Sequence, residues 1–137
     1  MNAIKKTIAL SLLVSALSPV WAADKIRVGF LATASLAPTI GVSKEIRAGF
    51  DLAIKELGGK LGGLPAEVIF GDDQGNPEIG KQVFDRMVKR DKIDLVTGTV
   101  ASGVVYAIAP QAAQQQILFI NTNVGPHDLV CAKCSPY

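Results

Sequence analysis

Four short apolar runs, spaced regularly along the chain, constrain the fold more than any other feature of this sequence. They lie at Ile26–Ala32, Ala66–Gly71, Asp94–Gly98 and Ile117–Asn121. Rich in valine, isoleucine or phenylalanine and nearly continuous in apolar character, they are typical of strands that are covered on both faces. The runs therefore predict a parallel sheet with helices on both of its faces.

The segments between the runs have the period of an α-helix. In Val42–Leu57 and in Pro77–Arg90, apolar residues recur every three or four positions, and charged residues occupy the other positions. Asn76 is well suited to cap the second of these helices. The apolar residues of both helices are therefore expected to form core.

A third helix is predicted to run from Ser102 to about Gln116, with Ser102 as a suitable cap and Pro110 bending or locally breaking it. The resulting order, β-α-β-α-β-α-β, is typical of an α/β fold with a parallel sheet. Ligands of such folds bind outside the carboxyl ends of the strands.

The stretch GGKLGGLP, Gly58–Pro65, resembles a phosphate-binding loop in composition but not in position. It joins the end of the first helix to the second strand, at the amino-end face of the sheet. A phosphate loop instead runs from a strand into a helix. Its glycines are expected to form a helix C-cap and a turn, so they predict no nucleotide site.

The candidate binding loops follow the strands, at Thr33–Gly41, Asp72–Asn76, Thr99–Gly103 and Thr122–His127. They contain few charges and many small or hydroxyl-bearing residues, which suits a small anion such as a carboxylate. A helix that begins at Ser102 directs its positive end at the same anion. Ser102 is equally well explained as a helix cap. Other side chains able to donate or accept there are Thr33, Ser35, Thr122 and Asn123.

The first 22 residues have the order of a secretory signal. Lys5 and Lys6 are followed by the apolar run Ile8–Leu17 and by small residues that favour cleavage after Ala22. A membrane anchor is the alternative, but the run is about half as long as a bilayer span. Residues 1–22 are therefore interpreted as a signal peptide, and residues 23–137 as the folded part.

Charge and cysteine content narrow the function further. The chain has 14 basic and 12 acidic residues, and without the two lysines of the signal the numbers are equal. A neutral domain does not suit nucleic acid, which requires a basic face. Cys131 and Cys134 lie near the end, where a disulfide or incidental thiols are favoured over zinc or redox chemistry. His127, the only histidine, is more simply solvated than catalytic.

Four motifs in order, VGFLA, RAGFDLAIKELGG, DDQGNP and LVTGTVASG, resemble the N-terminal lobe of type I periplasmic solute-binding proteins. These proteins are the receptors of branched-chain amino-acid-type ABC importers. The similarity extends from about Lys25 to Tyr137. It implies a flavodoxin-like strand order, a periplasmic location, and an N-terminal lobe at 23–137 that is incomplete, because family members are longer and two-lobed.

The resemblance also implies where a ligand is held. In amino-acid-binding members the counterpart of Ser102 holds the ligand carboxylate, and Ile40 aligns with an apolar or aromatic position that packs on the ligand side chain. The implied partners are a small carboxylate or amino acid and the membrane subunits of an ABC transporter, with no nucleic acid, cofactor, metal or catalytic residue. The remaining ligand-binding residues are expected to be Ala101, Asn123, Val124 and Gly125.

One departure from the family pattern bears on the ligand. Where amino-acid-binding members have a small residue and then a threonine that helps to hold carboxylate and ammonium, this chain aligns Asn123 and Gly125. The pattern NVGP is more similar to members that bind aromatic carboxylates such as benzoate or cinnamate derivatives. A branched-chain amino-acid receptor is the alternative. A flavodoxin-like or hydrolase-like enzyme would need a phosphate loop or nucleophile elbow, and a sensory domain is a third possibility.

Overall fold

The computed structural model of the protein describes residues 23–123, 125, 127–130 and 135–137. The predicted signal peptide at 1–22, the candidate site residue Val124 and both cysteines, Cys131 and Cys134, lie outside the described residues.

Strands and helices alternate along the described chain as the sequence predicts. The strands are β1 Ile26–Ala32, β2 Lys60–Leu61, β3 Leu64–Asp72, β4 Leu95–Thr97 and β5 Leu118–Ile120. The helices are α1 Ile40–Glu56, α2 Pro77–Arg86, α3 Ser102–Gln114 and α4 His127–Val130, and a π-helical turn, Met87–Asp91, extends α2. The four predicted strands correspond to β1, β3, β4 and β5, and the three predicted helices to α1, α2 and α3.

The five strands form one sheet in the order β2-β3-β1-β4-β5. β1 pairs in parallel with β3 and β4, and β4 pairs in parallel with β5, which confirms the flavodoxin-like order. The short β2 is a correction to the all-parallel prediction, because it runs antiparallel to β3. Gly62 and Gly63 form the turn of this hairpin with φ of 55° and 86°, which glycine adopts without strain.

One face of the sheet is covered by α2 and α3. Phe84 and Met87 from α2 and its π turn, with Ile108 from α3, are fully buried against Leu31 and Val96 of the sheet. We call this the covered face. The apolar residues that the sequence assigned to the core are found there for α2, whereas those of α1, such as Phe50 and Ile54, are only half-buried.

The opposite face carries α1, and we call it the open face. The ring of Phe50 on α1 lies 5.4 Å from that of Phe30, measured between centroids. The Arg47 guanidinium lies over the rings of Phe30 and Phe70, 5.2 and 5.8 Å from their centroids. Of the helices in the described residues, α1 alone packs on this face, through an aromatic and a cationic contact.

The helix termini differ in how well the sequence predicts them. Asn76 caps α2 as predicted, its side chain accepting from the amides of Glu78 and Ile79. The prediction for α3 was wrong, because Ala101 occupies the N-cap position and Ser102 is the first helical residue. Pro110 lies inside α3, which continues to Gln114 without interruption. A proline forfeits one hydrogen bond of the ladder, and the flanking bonds keep this helix assigned as one element.

Candidate functional site

The carboxyl ends of the parallel strands lead into the four loops that the sequence singled out. The loop after β1 precedes α1, the loop after β3 precedes α2, and the loop after β4 precedes α3. The loop after β5 leads into the short α4. In a sheet of this order the ligand position lies outside these ends, so the candidate site is built from these loops.

Thr33, proposed from sequence as a group able to bind a ligand, is occupied within the protein. Its hydroxyl is buried and donates to Asp73 Oδ1 over 2.6 Å. The amide of Gly75 donates to the same oxygen over 2.8 Å. Asp73 thus joins the loop after β1 to the loop after β3, and Thr33 is corrected from a ligand group to a loop support.

Asp73 is an unusual carboxyl group for a buried position. Its second oxygen, Oδ2, has no hydrogen-bond partner among the described residues. Burial raises the pKa of Asp73 above its ordinary value, although the bonds from Thr33 and Gly75 act in the other direction. The neighbouring charge of Asp72 raises the pKa further. The site therefore favours the neutral acid more than an exposed aspartate would.

Asp72 faces the other way, as expected for adjacent residues of an extended segment. Its Oδ1 accepts from the amides of Ala34 and Gln74, each at 2.9 Å. Burial acts to raise the pKa of Asp72, but hydrogen bonds from Ser35, Gln74 and Ala34 outweigh it and the pKa is lowered. The two carboxyl groups therefore do not form a catalytic pair, and each one orders a loop.

The start of α3 presents unsatisfied donors. The carbonyl of Ala101 accepts from the amides of Val104 and Val105 at 3.0 and 3.1 Å, and Ala101 has no side chain that caps the helix. By helix geometry the amides of Ser102 and Gly103 have no carbonyl partner within α3. Both residues are exposed, so two amides lie at the positive end of a helix of 13 residues, where Ser102 also carries a hydroxyl.

The loops after β4 and β5 are tied together beside this helix end. The Thr99 hydroxyl donates to Asn121 Oδ1 over 2.9 Å. The side-chain amide of Asn123 donates to the carbonyl of Val100 over 3.4 Å. Asn123 is exposed and lies next to the chain segment that leads into Ala101. The structure thus brings three of the predicted site residues together, namely Ala101, Ser102 and Asn123.

The remaining predicted site residues are placed differently. Ile40 is half-buried and begins α1, at the end of another strand. Gly125 is exposed, and a Cβ added to it would meet no atom within 4 Å. Gly125 also lines a cavity of about 400 Å³ bordered by residues of α3, β5 and α4, together with Asn121, Leu129 and Tyr137. Gly125 therefore lies at that cavity, and it also lies two positions after Asn123 in the sequence.

Sequence reasoning missed one contact at this site. The Tyr106 hydroxyl on α3 donates to Asp128 Oδ1 on α4 over 2.7 Å. Tyr106 follows Ser102 by four residues, so the two lie on one side of the helix. That spacing could have placed Tyr106 near the site from the sequence. Its partner Asp128 could not be predicted, because it lies beyond a loop whose path the sequence does not specify.

Within the part of the chain that the structure describes, no group of three or more histidine, cysteine, aspartate or glutamate side chains is arranged to hold a metal ion. None of the helices in the described ranges is both long enough and apolar enough to cross a membrane.

Solved structures similar to this chain are solute-binding proteins of ABC transporters. The chain is 29% identical to one from Rhodopseudomonas palustris in complex with benzoate, with a TM-score of 0.78 and coverage of 82% of this chain and 31% of that one. It is 26% identical to one from R. palustris BisB5 in complex with 3,4-dihydroxybenzoic acid, with a TM-score of 0.76 and coverage of 84% and 31%. An ABC transporter substrate-binding protein from Sphaerobacter thermophilus is 33% identical, with a TM-score of 0.69 and coverage of 77% and 28%.

The similarity covers only part of each solved protein. The chain spans 28–31% of the length of the three solved proteins. Among curated proteins, none matches it significantly. Residues 25–137 match the periplasmic binding protein family over nearly the whole described range. The chain therefore belongs to the periplasmic binding protein family.

Proposed function

We propose that residues 23–137 form part of the first lobe of a solute-binding receptor, which captures a small carboxylate and delivers it to the membrane subunits of an ABC importer. The family match from residue 25 onward and the similarity to ABC-transporter solute-binding proteins support this role. Capture needs no bond to be made or broken. The protein supplies hydrogen bonds and a shaped cleft, and it stays chemically unchanged.

The observation that carries the proposal is the exposed start of α3. The amides of Ser102 and Gly103 lie where the helix dipole favours negative charge, and Ser102 adds a hydroxyl at the same helix end. Hydrogen bonds to a charged acceptor are shorter and stronger than neutral ones. A carboxylate placed there completes the donors that α3 itself leaves unsatisfied.

We further propose an apolar or aromatic acid in preference to an amino acid. Gly125 brings no side-chain acceptor for an ammonium group, and the loops after β1 and β4 have no charged side chain. Ile40 supplies an apolar wall. The two R. palustris neighbours, in complex with benzoate and with 3,4-dihydroxybenzoic acid, support the same preference. A branched-chain amino acid is the alternative ligand.

An NMR titration of residues 23–137 with benzoate and, separately, with leucine tests this function. We expect benzoate to shift the amide signals of Ser102, Gly103 and Asn123, with a dissociation constant of about 1 mM or weaker, because this part of the cleft encloses only one side of a ligand. Leucine should shift them less at equal concentration. Larger shifts with leucine would contradict the aromatic preference, and no shifts with either acid would contradict carboxylate capture at α3.

The contribution of Ser102 is measured with a matched pair of serine variants. Ser102→Ala should weaken benzoate binding by about 1–3 kcal/mol, since the bound anion loses one donor. Ser135→Ala is the control, because Ser135 is exposed and lies outside the four loops. Equal affinities for the two variants would remove Ser102 from the site.

Export through a cleaved signal peptide remains a separate proposal, supported by the order of residues 1–22. Expressed in a Gram-negative host, the full chain should be recovered from the periplasm with its N-terminus near Ala23. Retention in the cytoplasm with Met1 in place would contradict it.

A further inference from the structure

Tyr106 is an exposed aromatic residue that makes a specific polar contact. Ser102, Tyr106 and Pro110 are all exposed, at the spacing of one stripe along α3. The Tyr106 side chain is 46% exposed, and its hydroxyl donates to Asp128 Oδ1 over 2.7 Å. An exposed tyrosine contributes little to the core, so this contact is the main bond that its hydroxyl adds to the fold.

The contact fastens the far end of the loop after β5. At its near end this loop is held by the bonds from Thr99 to Asn121 and from Asn123 to Val100. Asp128 stands on α4, which follows the loop. The chain from Asn123 to α4 includes Gly125, and both of these residues are exposed and predicted to contact the ligand.

We propose that Tyr106 and Asp128 act as a latch, which holds Gly125 near α3 and so fixes Asn123 beside the free amides of Ser102 and Gly103. Tyr106 and Asp128 are positioning residues in this proposal and do not contact the ligand. The part that concerns ligand affinity rests on the proposed function, whereas the part that concerns loop position does not.

A loop that is fastened at both ends costs less free energy to order when a ligand binds. Attached only at its base, a loop of this kind samples many conformations, and binding must then order it at a cost in free energy. A hydrogen bond to a charged carboxylate at the far end reduces that cost in advance. The same face of α3 therefore carries the proposed carboxylate donors at its start and the latch one turn later.

The first experiment examines the latch without any ligand. In a Tyr137→Phe background, the remaining tyrosine is Tyr106, since the chain has only two. The hydrogen bond to Asp128 raises the pKa of Tyr106, followed by burial and by the charge of Asp128. Adding Asp128→Asn should therefore lower the phenol pKa measured by ultraviolet absorbance. An unchanged titration curve would overturn the latch.

The second experiment measures loop position and binding in the full chain. Tyr106→Phe removes only the hydroxyl, so it should shift the amide signals of Asn123 and Gly125 and speed their hydrogen exchange, with α1 and α2 unchanged. It should also weaken benzoate binding by about threefold to tenfold. Tyr137→Phe, the same chemical change at the other tyrosine, should leave the affinity for benzoate unchanged.

The outcomes separate the two proposals. If Tyr106→Phe leaves the loop signals unchanged, the latch is wrong whatever the ligand. If those signals shift but benzoate binds the wild-type chain and the variant equally, the loop is latched and does not set affinity, which overturns the positioning role. If the wild-type chain binds no carboxylate, the proposed function fails while the phenol titration and loop signals still decide the latch.

Discussion

The two faces of the sheet are built from the same strands and differ in how far their apolar residues are buried. On the covered face, Leu31 of β1 and Val96 of β4 are fully buried beneath α2 and α3. On the open face, the side chains of Phe70, Leu118 and Ile120 remain 45, 44 and 48% exposed. The strands thus supply apolar residues to both sides, and on the open face those of β3 and β5 are left partly exposed.

The register of the strands shows that this difference lies at β3 and β5, because Phe30 and Thr97 on the central strands are 0 and 4% exposed. Phe30 pairs with Thr97 and Thr97 with Ile120, so these three side chains share the open face. One residue earlier, Val96 pairs with Gly29 and lies on the covered face. A continuous apolar run therefore predicts a strand correctly without telling whether both of its sides are equally buried.

The sharpest test of this comparison removes one phenylalanine ring from each face. Phe84→Ala should lower the free energy of unfolding by about 3–5 kcal/mol, because it leaves a cavity in a fully packed region. Phe70→Ala should cost roughly 1–2 kcal/mol, because the ring is half-exposed and loses chiefly its contacts with Phe30 and Arg47. Urea unfolding followed by circular dichroism measures both values. Similar losses would mean that the two faces are equally packed.

Adding a methyl group tests the same difference in the opposite direction. A Cβ on Gly71 would lie 2.4 Å from Val83 Cγ1 and 2.6 Å from Met87 Cε, so Gly71→Ala should destabilise by about 1–3 kcal/mol. On α1, a Cβ on Gly49 would meet nothing within 4 Å. Gly49→Ala should therefore stabilise the protein by roughly 0.5–1 kcal/mol through helix propensity. Thermal unfolding of both variants checks the signs, and a stable Gly71→Ala protein would contradict close packing there.

Much of the fold follows from the sequence because strand and helix periods are local properties. The predicted runs at Ile26–Ala32 and Ile117–Asn121 fall on β1 and β5. The hairpin strand β2 was not predicted, because two residues between glycines carry no periodic signal.

The candidate site was predicted only in part, for a related reason. Strand order indicates which loops share an edge, so Ser102 and Asn123 were expected near each other. The hydrogen-bond partners of a side chain within the protein depend on tertiary contacts. The Thr33 hydroxyl thus binds Asp73 and not a ligand, and the N-cap residue of α3 is Ala101 and not Ser102. The Tyr106–Asp128 contact likewise spans a loop, whose path local propensity does not fix.

The adjacent residues Asp72 and Asp73 differ in environment, and their pKa values shift in opposite directions. Burial raises the pKa of Asp73 in the native state. The ionised carboxylate therefore stabilises the fold less than the neutral acid does. Below the pKa of the unfolded state, near 3.8, the Asp73 carboxyl group is protonated in both the native and the unfolded state. The free energy of unfolding then falls as the pH rises from this value through the native pKa. Asp73→Asn should remove this fall, so its stability relative to wild type increases between about pH 4 and pH 7.

Asp72→Asn provides the matched control with the opposite sign. Because hydrogen bonds lower the native pKa of Asp72, its ionised form stabilises the fold above the unfolded value, and that stability is lost as pH falls. The deficit of Asp72→Asn relative to wild type should therefore shrink on acidification. Parallel pH dependence in the two variants, measured by urea unfolding, would show that the carboxyl groups occupy equivalent environments.

The smallest expected effect on stability belongs to the exposed strand residue Leu118. Because nearly half of its side chain is exposed on the open face, Leu118→Ser should change the free energy of unfolding by less than about 0.5 kcal/mol. Its effect on association should be larger, since exposed apolar residues on an edge strand favour contacts between chains. Sedimentation velocity at rising concentration should show weaker self-association than for wild type. Leu52→Ser, at an exposed position of α1, is the control, and an equal reduction in that variant would show that association does not depend on β5.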